Sequence, residues 1–248
     1  MSFDLPILLF IAGTFFLAGG VKGVIGLGLP TVSLGLIAMV LDLPAAMALL
    51  LVPSFATNLW QAASGGQARA ILRRLWPFLL LATATVWLGA LALTRVDTRY
   101  LSALLGAVLV GYALLGLAGR RLSLSGRREA WAGPLFGAAN GVLTGMTGSF
   151  VVPGVMYLQG IGLSRDQLIQ AMGMLFTLST VALALALQGN GLMTGELLLW
   201  SVAALVPALA GVWCGGRLRQ RLSEQRFRQV FLFAILLLGF TILLRELL

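Results

Sequence analysis

Residues 5–40 form an apolar run too long for one membrane-crossing helix, which needs about 20 residues. The run is punctured by Gly19, Gly20, Gly23, Gly26, Gly28 and Pro30, and Lys22 stands in its middle. Glycine and proline at that density interrupt a helix, so the run is expected to fold as two arms with irregular backbone between them. A second stretch in the other half of the chain answers it: NGVLTGMTGS over residues 140–149, with Pro153 beyond. Paired glycine-broken hydrophobic segments at matching places in two halves point to a binding region built from two membrane repeats.

The composition agrees with a membrane setting. The chain is 59% hydrophobic and 10% charged, against about 25% charged for a soluble domain. Its net charge of +9 does not indicate nucleic acid, because the arginines sit in short clusters between apolar segments, as in the cytoplasmic loops of membrane proteins. Cys214 is the lone cysteine, so no intramolecular disulfide forms. There is no histidine, and every Asp and Glu falls at a segment end or in a loop. A buried carboxylate or imidazole relay, a metal-ligand cluster and a Ser-His-Asp or Cys-His set are therefore not expected. Neither an enzyme nor a cofactor is expected. Residues 1–9 carry only Asp4 as a charge, which argues against a cleaved signal peptide.

Along the chain, each half reads as one broken region followed by three ordinary helices. The expected divisions are a first membrane repeat over 1–122, a basic cytoplasmic linker over 123–129, and a second repeat over 130–248. Pro44 and Ser164 mark helix starts, and apolar spans are expected over 76–93, 101–117, 167–187, 197–215 and 230–244. The motif at Val86–Gly89 aligns with that at Val212–Gly215, a sign of internal duplication.

Arginine placement decides how the broken regions cross. One crossing each would split the basic residues evenly between the two sides. If each enters and returns as a hairpin, Arg69, Arg73, Arg74, Arg120, Arg121, Arg127, Arg128, Arg165 and the five arginines of 217–228 share one face. Only Arg95, Arg99 and Arg245 are left opposite. The positive-inside rule selects the hairpins. The fold expected is an all-α polytopic membrane protein of two inverted repeats, each a hairpin plus three transmembrane helices, with both termini outside and the hairpin tips meeting near the middle.

A hairpin tip leaves backbone groups without helical partners, tolerable at membrane depth only against protein or a wet cavity. A helix restarting there aims free N–H groups and a partial positive charge at whatever occupies the tip, which suits an anion. Pro30 fits such a restart, with Thr31 and Ser33 adding hydroxyls; Thr144, Thr147 and Ser149 are expected to do the same in the second half. Gly26, Gly28, Gly145 and Gly148 would let backbone approach a ligand, or would only allow close helix packing. Lys22 either faces the site or snorkels to the interface, and Asn140 is placed at the corresponding position of the second half. Asn58, with Ser54 and Thr57, either lines a path or bonds a neighbouring helix, and Gln170 is a further lining candidate. With positive and neutral donors alone, the expected substrate is an anion and no metal is bound.

At these residues the chain resembles the sulfite exporter TauE/SafE-type permeases of bacteria. The resemblance rests on GVIGLGLP over 23–30, GVLTGMTG over 141–148 and a two-half plan covering nearly the whole chain. It implies movement of sulfite, sulfoacetate or another organosulfonate across the inner membrane by a secondary transporter. The second motif departs from the glycine-plus-proline pattern, with Thr147 and Ser149 present and Pro153 displaced, which bears on substrate identity. An anion-conducting channel and a non-transporting membrane partner are the alternatives. The expected partners are a small anion and the lipid bilayer, with no nucleic acid, and a homodimer is left open.

Overall fold

The computed structural model describes residues 4–119 and 123–247, so Arg120 and Arg121, at the end of the expected first repeat, lie outside the described residues. The first half contains α1 (Leu5–Ile25), α2 (Leu29–Ile37), α3 (Leu43–Ala63), α4 (Ala68–Ala84), α5 (Val86–Ala90) with a 3-10 turn over Leu91–Thr94, and α6 (Thr98–Leu117). The second contains α7 (Arg127–Thr147), α8 (Gly154–Gly160), α9 (Arg165–Gly189), α10 (Gly195–Leu218) and α11 (Glu224–Leu247). Among the described residues there is no strand, and seven helical segments are long and apolar enough to cross a membrane. The chain is an all-helical, multi-pass membrane protein.

Local chemistry explains the helix starts. The Asp42 carboxylate accepts from the Ala45 N–H at 2.7 Å ahead of α3. Ser164 and Gln167 close a reciprocal capping box at α9, and the Thr194 hydroxyl accepts from Leu197 N–H at α10. The helices outrun the apolar spans at the arginine-rich end. Arg69, Arg73 and Arg74 lie in α4, and Arg226 and Arg228 in α11, because nothing in those segments breaks a helix where the hydrophobicity stops.

Glycine sets the packing. A Cβ on Gly19 would lie 2.2 Å from the Ala208 carbonyl oxygen, and one on Gly23 2.3 Å from that of Val212, so α1 rides directly on the backbone of α10. The seam recurs between α7 and α4–α5: Gly141 would meet Ala82 O at 2.6 Å and Gly145 would meet Val86 O at 2.1 Å. From the other side, Gly215 abuts Gly20 O as Gly89 abuts Val142 O. Where Gly211 sits on Phe16 O, the second seam has Thr85, whose hydroxyl donates to Ala138 O at 2.9 Å. Close small-residue contact of this kind is how helices associate where burial gives no driving force. Each broken helix is thus packed on a helix from the other half.

The same contacts give directions. Residue numbers rise together in α1 and α10, and in α7 and α4–α5, so both pairs are parallel. They run oppositely in α6 and α11, where Gly106 faces Gly239 and Gly116 faces Leu232. In α3 and α9 they are also opposed: Gln167 at the start of α9 bonds Gln67 just past α3, whereas Gly173 further on abuts Gln61 and Ala62. The ends of α3, α6 and α10 and the starts of α4, α7, α9 and α11 consequently gather at one end, which carries the arginine clusters. At that basic end the Arg74 guanidinium pairs with Glu129 at 2.7 Å and 2.9 Å.

Candidate functional site

The first tip is residues 26–28. Gly26 caps α1 with its N–H on Lys22 O at 2.8 Å, and Gly28 precedes α2; their φ values of 79° and 110° exclude most side chains. Pro30 occupies the first turn of α2, as expected of a restart. Lys22 is only 6% exposed and its ammonium donates to the Asn58 amide oxygen on α3. It therefore points into the protein and does not snorkel. Among the described residues no carboxylate pairs with it. The Asn58 Nδ2 and the Thr31 hydroxyl are buried without hydrogen-bond partners, as is Ser54 Oγ on α3. Ser33 differs: its hydroxyl is spent on Leu29 O at 2.7 Å. Thr57 likewise bonds Pro53 O within its own helix.

The second tip is longer. Gly148 caps α7 at φ 74°, and five residues of irregular backbone separate it from α8. Thr144 and Thr147 thus belong to the last turn of α7 and not to a restarting helix. Thr144 donates to Ser149 O at 3.0 Å; Thr147 donates to Leu143 O at 2.7 Å and accepts from Ser149 N–H at 3.2 Å. Asn140, deeper in α7, accepts the Gly154 N–H at 2.9 Å, so the start of α8 is already capped from within. Its Nδ2 and the Ser149 hydroxyl are buried and unpartnered. Gly145 is a packing glycine against α5 and offers no approach to a ligand.

Two expectations are corrected. The caps put Gly26 opposite Gly148, Gly23 opposite Gly145 and Gly19 opposite Gly141, so the counterpart of Lys22 is Thr144, one helical turn from Asn140. The tips also do not meet near the middle. α1 runs 21 residues, about 31 Å, and overshoots. Tip one reaches Asn58 near the basic end of α3, whereas a Cβ on Gly148 would lie 2.7 Å from Met47 near the other end. Along the helix those levels are roughly 16 Å apart. Ser54 lies between them.

Gln170 proves to be a stitch and not a lining residue, donating to Ala62 O at 2.8 Å and accepting from Gln67 N–H at 3.0 Å. Ser179 was not anticipated. It lies in mid-α9 with a buried, unpartnered hydroxyl, and the α3–α9 pairing places it level with Ser54. The only signal for it was a serine between Thr177 and Thr180 in an apolar helix. Ser201 was also missed, and its role is structural. Pro53 has no N–H for Leu49 O, and the Ser201 hydroxyl donates to that carbonyl at 2.9 Å while accepting from Val52 N–H at 3.0 Å.

A multi-helix apolar bundle with two broken hairpins, a buried lysine and unpaired neutral hydroxyls is the build of a membrane permease for a small solute. The family model for the sulfite exporter TauE/SafE matches residues 11–242, and the chain belongs to that family. No curated protein and no solved structure gives a significant match.

Proposed function

We propose that the chain is a secondary transporter of a small sulfur-containing anion, sulfite or an organosulfonate, working by alternating access in a bacterial inner membrane. The observation that carries this reading is Lys22: a cation buried beside a neutral amide, with no carboxylate partner among the described residues. Burying an unpaired charge is costly, and an anion beside it offsets that cost. The donors around it are neutral or positive: Asn58 Nδ2, the Thr31 hydroxyl and the first-turn N–H groups of α2. Ser54, Ser179, Ser149, Thr144, Thr147 and Asn140 extend hydroxyl and amide groups toward the second tip. The opposed directions of corresponding helices support two inverted repeats, and the gathering of arginines at one end supports placing that end in the cytoplasm and both termini outside.

The test is counterflow of radiolabelled sulfite in proteoliposomes holding the intact protein. Saturable counterflow is expected, lost in Lys22→Gln and Asn58→Leu while the melting temperature still reports a folded protein. Flux without counterflow would make the protein a channel. Undiminished counterflow in both variants would remove Lys22 from the site.

A further inference from the structure

The arginines of the basic end do more than mark a side of the membrane. A cavity of about 100 Å³ opens beneath the first tip, lined among others by Ile25, Leu27, Gln159, Arg165, Arg219 and Arg228. The three guanidinium groups come from three elements: Arg165 begins α9, Arg219 follows α10, and Arg228 lies in an early turn of α11. Among the described residues no carboxylate lines the cavity. Topology requires only that basic residues stay on this side of the bilayer. It does not require arginines from three separate elements to line one small space. The cavity roof is the tip itself: Ile25 is one turn from Lys22, and Phe231 in the wall packs where a Gly28 Cβ would be. At the opposite end, the cavity between α3 and α10 is lined by Asp42 and Glu196 instead.

We propose that this cavity is an anion-collecting vestibule, a second binding site that takes a sulfonate or sulfite from the basic end and holds it one helical turn from Lys22. Guanidinium forks recognise oxyanions through paired hydrogen bonds, and Gln159 adds amide donors. The inference rests on the anion-transport reading for its substrate class. It adds that loading occurs at the arginine-lined end.

The test reads the vestibule without reading transport. In the full-length protein, with the exposed Cys214 replaced by serine, Gln159→Cys is labelled with anionic sulfonatoethyl and cationic trimethylammonioethyl methanethiosulfonate. The anionic reagent is expected to react roughly tenfold faster, as a focused positive field produces, and ethanesulfonate is expected to slow it saturably. Arg219→Gln with Arg228→Gln should abolish both effects, and raising the ionic strength should collapse the rate ratio in protein with its arginines intact, a control needing no folded arginine variant. Equal rates for the two reagents, or protection indifferent to the arginine changes, would overturn the vestibule. Saturable protection in a protein without sulfite counterflow would sink the transport reading and leave the vestibule standing; counterflow without protection would do the reverse.

Discussion

Adding one methyl group to Gly23 should pry α1 from α10, whereas the same methyl on Gly13 should strengthen the same helix. A Cβ on Gly23 would sit 2.3 Å from Val212 O, 2.7 Å from Gly216 N and 3.0 Å from Gly215 C. All three are backbone atoms that cannot rotate away. Restoring ordinary contact requires the two helices to part by roughly 1 Å, and a gap of that size forfeits a quarter to a half of each atom-pair attraction along the seam. Overpacking of this kind costs about 1–3 kcal/mol, or roughly 3–9 °C in Tm for a chain of this size. Gly13 has no heavy atom within 4 Å of a built Cβ, so Gly13→Ala escapes the clash and gains about 0.5–1 kcal/mol of helix propensity. Gly145→Ala, facing Val86 O at 2.1 Å, should cost about as much as Gly23→Ala. Thermal unfolding of the detergent-purified protein, followed by loss of the monodisperse gel-filtration peak, measures all three. A Gly23→Ala protein that melts at or above wild type would refute the close α1–α10 seam and, with it, the placement of Lys22 on the inner side of α1.

Ser201→Ala should lower stability by about 1–3 kcal/mol, since it leaves Leu49 O buried without a donor; in a Pro53→Ala background, which restores an N–H to that carbonyl, a double-mutant cycle should show the loss shrink. Thr31→Val should leave the melting temperature unchanged or raised, because its hydroxyl has no partner, yet reduce sulfite counterflow; Ser33→Ala, whose hydroxyl is spent on Leu29 O, should retain normal counterflow. Asn140→Leu should cost about 1–3 kcal/mol by stranding the Gly154 N–H, readable as faster hydrogen exchange in residues 149–160 than in wild type.

The breaks were legible in the sequence because their cause is local. Gly26, Gly28 and Gly148 adopt positive φ, and only glycine does so without strain. The starts of α3 and α9 were legible for the same reason, since Asp42 and Ser164 cap them from their own chemistry. The register between halves was not. Glycines recur every three or four residues in both motifs, and sliding one motif by four residues returns it to nearly the same helix face, so Lys22 could be set against Asn140 as easily as against Thr144. Which glycines turn the chain and which pack helices was equally hidden: Gly148 turns it at positive φ, whereas Gly145 three residues earlier stays helical against a distant α4–α5 segment. Ser179 escaped notice because a lone helical serine ordinarily bonds the carbonyl four residues back, as Thr180 does to Phe176; Ser179 does not.

The cross-half seams restrict how access could change. If the two sequence halves moved as rigid bodies, α1 would have to leave α10 and α7 would have to leave α4–α5, pulling apart two seams of touching backbone at once. Bodies that keep those seams are the α1–α10 pair with α3, and α4–α5–α7 with α9. What lies between them is the α3–α9 contact, where Gly173 abuts the backbone of Gln61 and Ala62 and the glutamines stitch the basic end. The two return arms are not equally free within this frame. α8 and the turn after it are held by Asn140 at Gly154, by Leu124 N–H on Gly160 O at 2.8 Å and by Arg74 on Ile161 O at 2.8 Å. In α2 the hydrogen bonds observed are local, Ser33 to Leu29 O and Val32 N–H to Gly28 O, the Thr31 hydroxyl is unspent, and the turn after it is held by Arg245 on Met39 O. Displacing α2 and its turn breaks one long-range polar contact, while displacing α8 and its turn breaks at least three. α2, the return arm of the hairpin that carries Lys22 and roofs the arginine-lined cavity, is therefore the arm whose displacement breaks the fewest polar contacts.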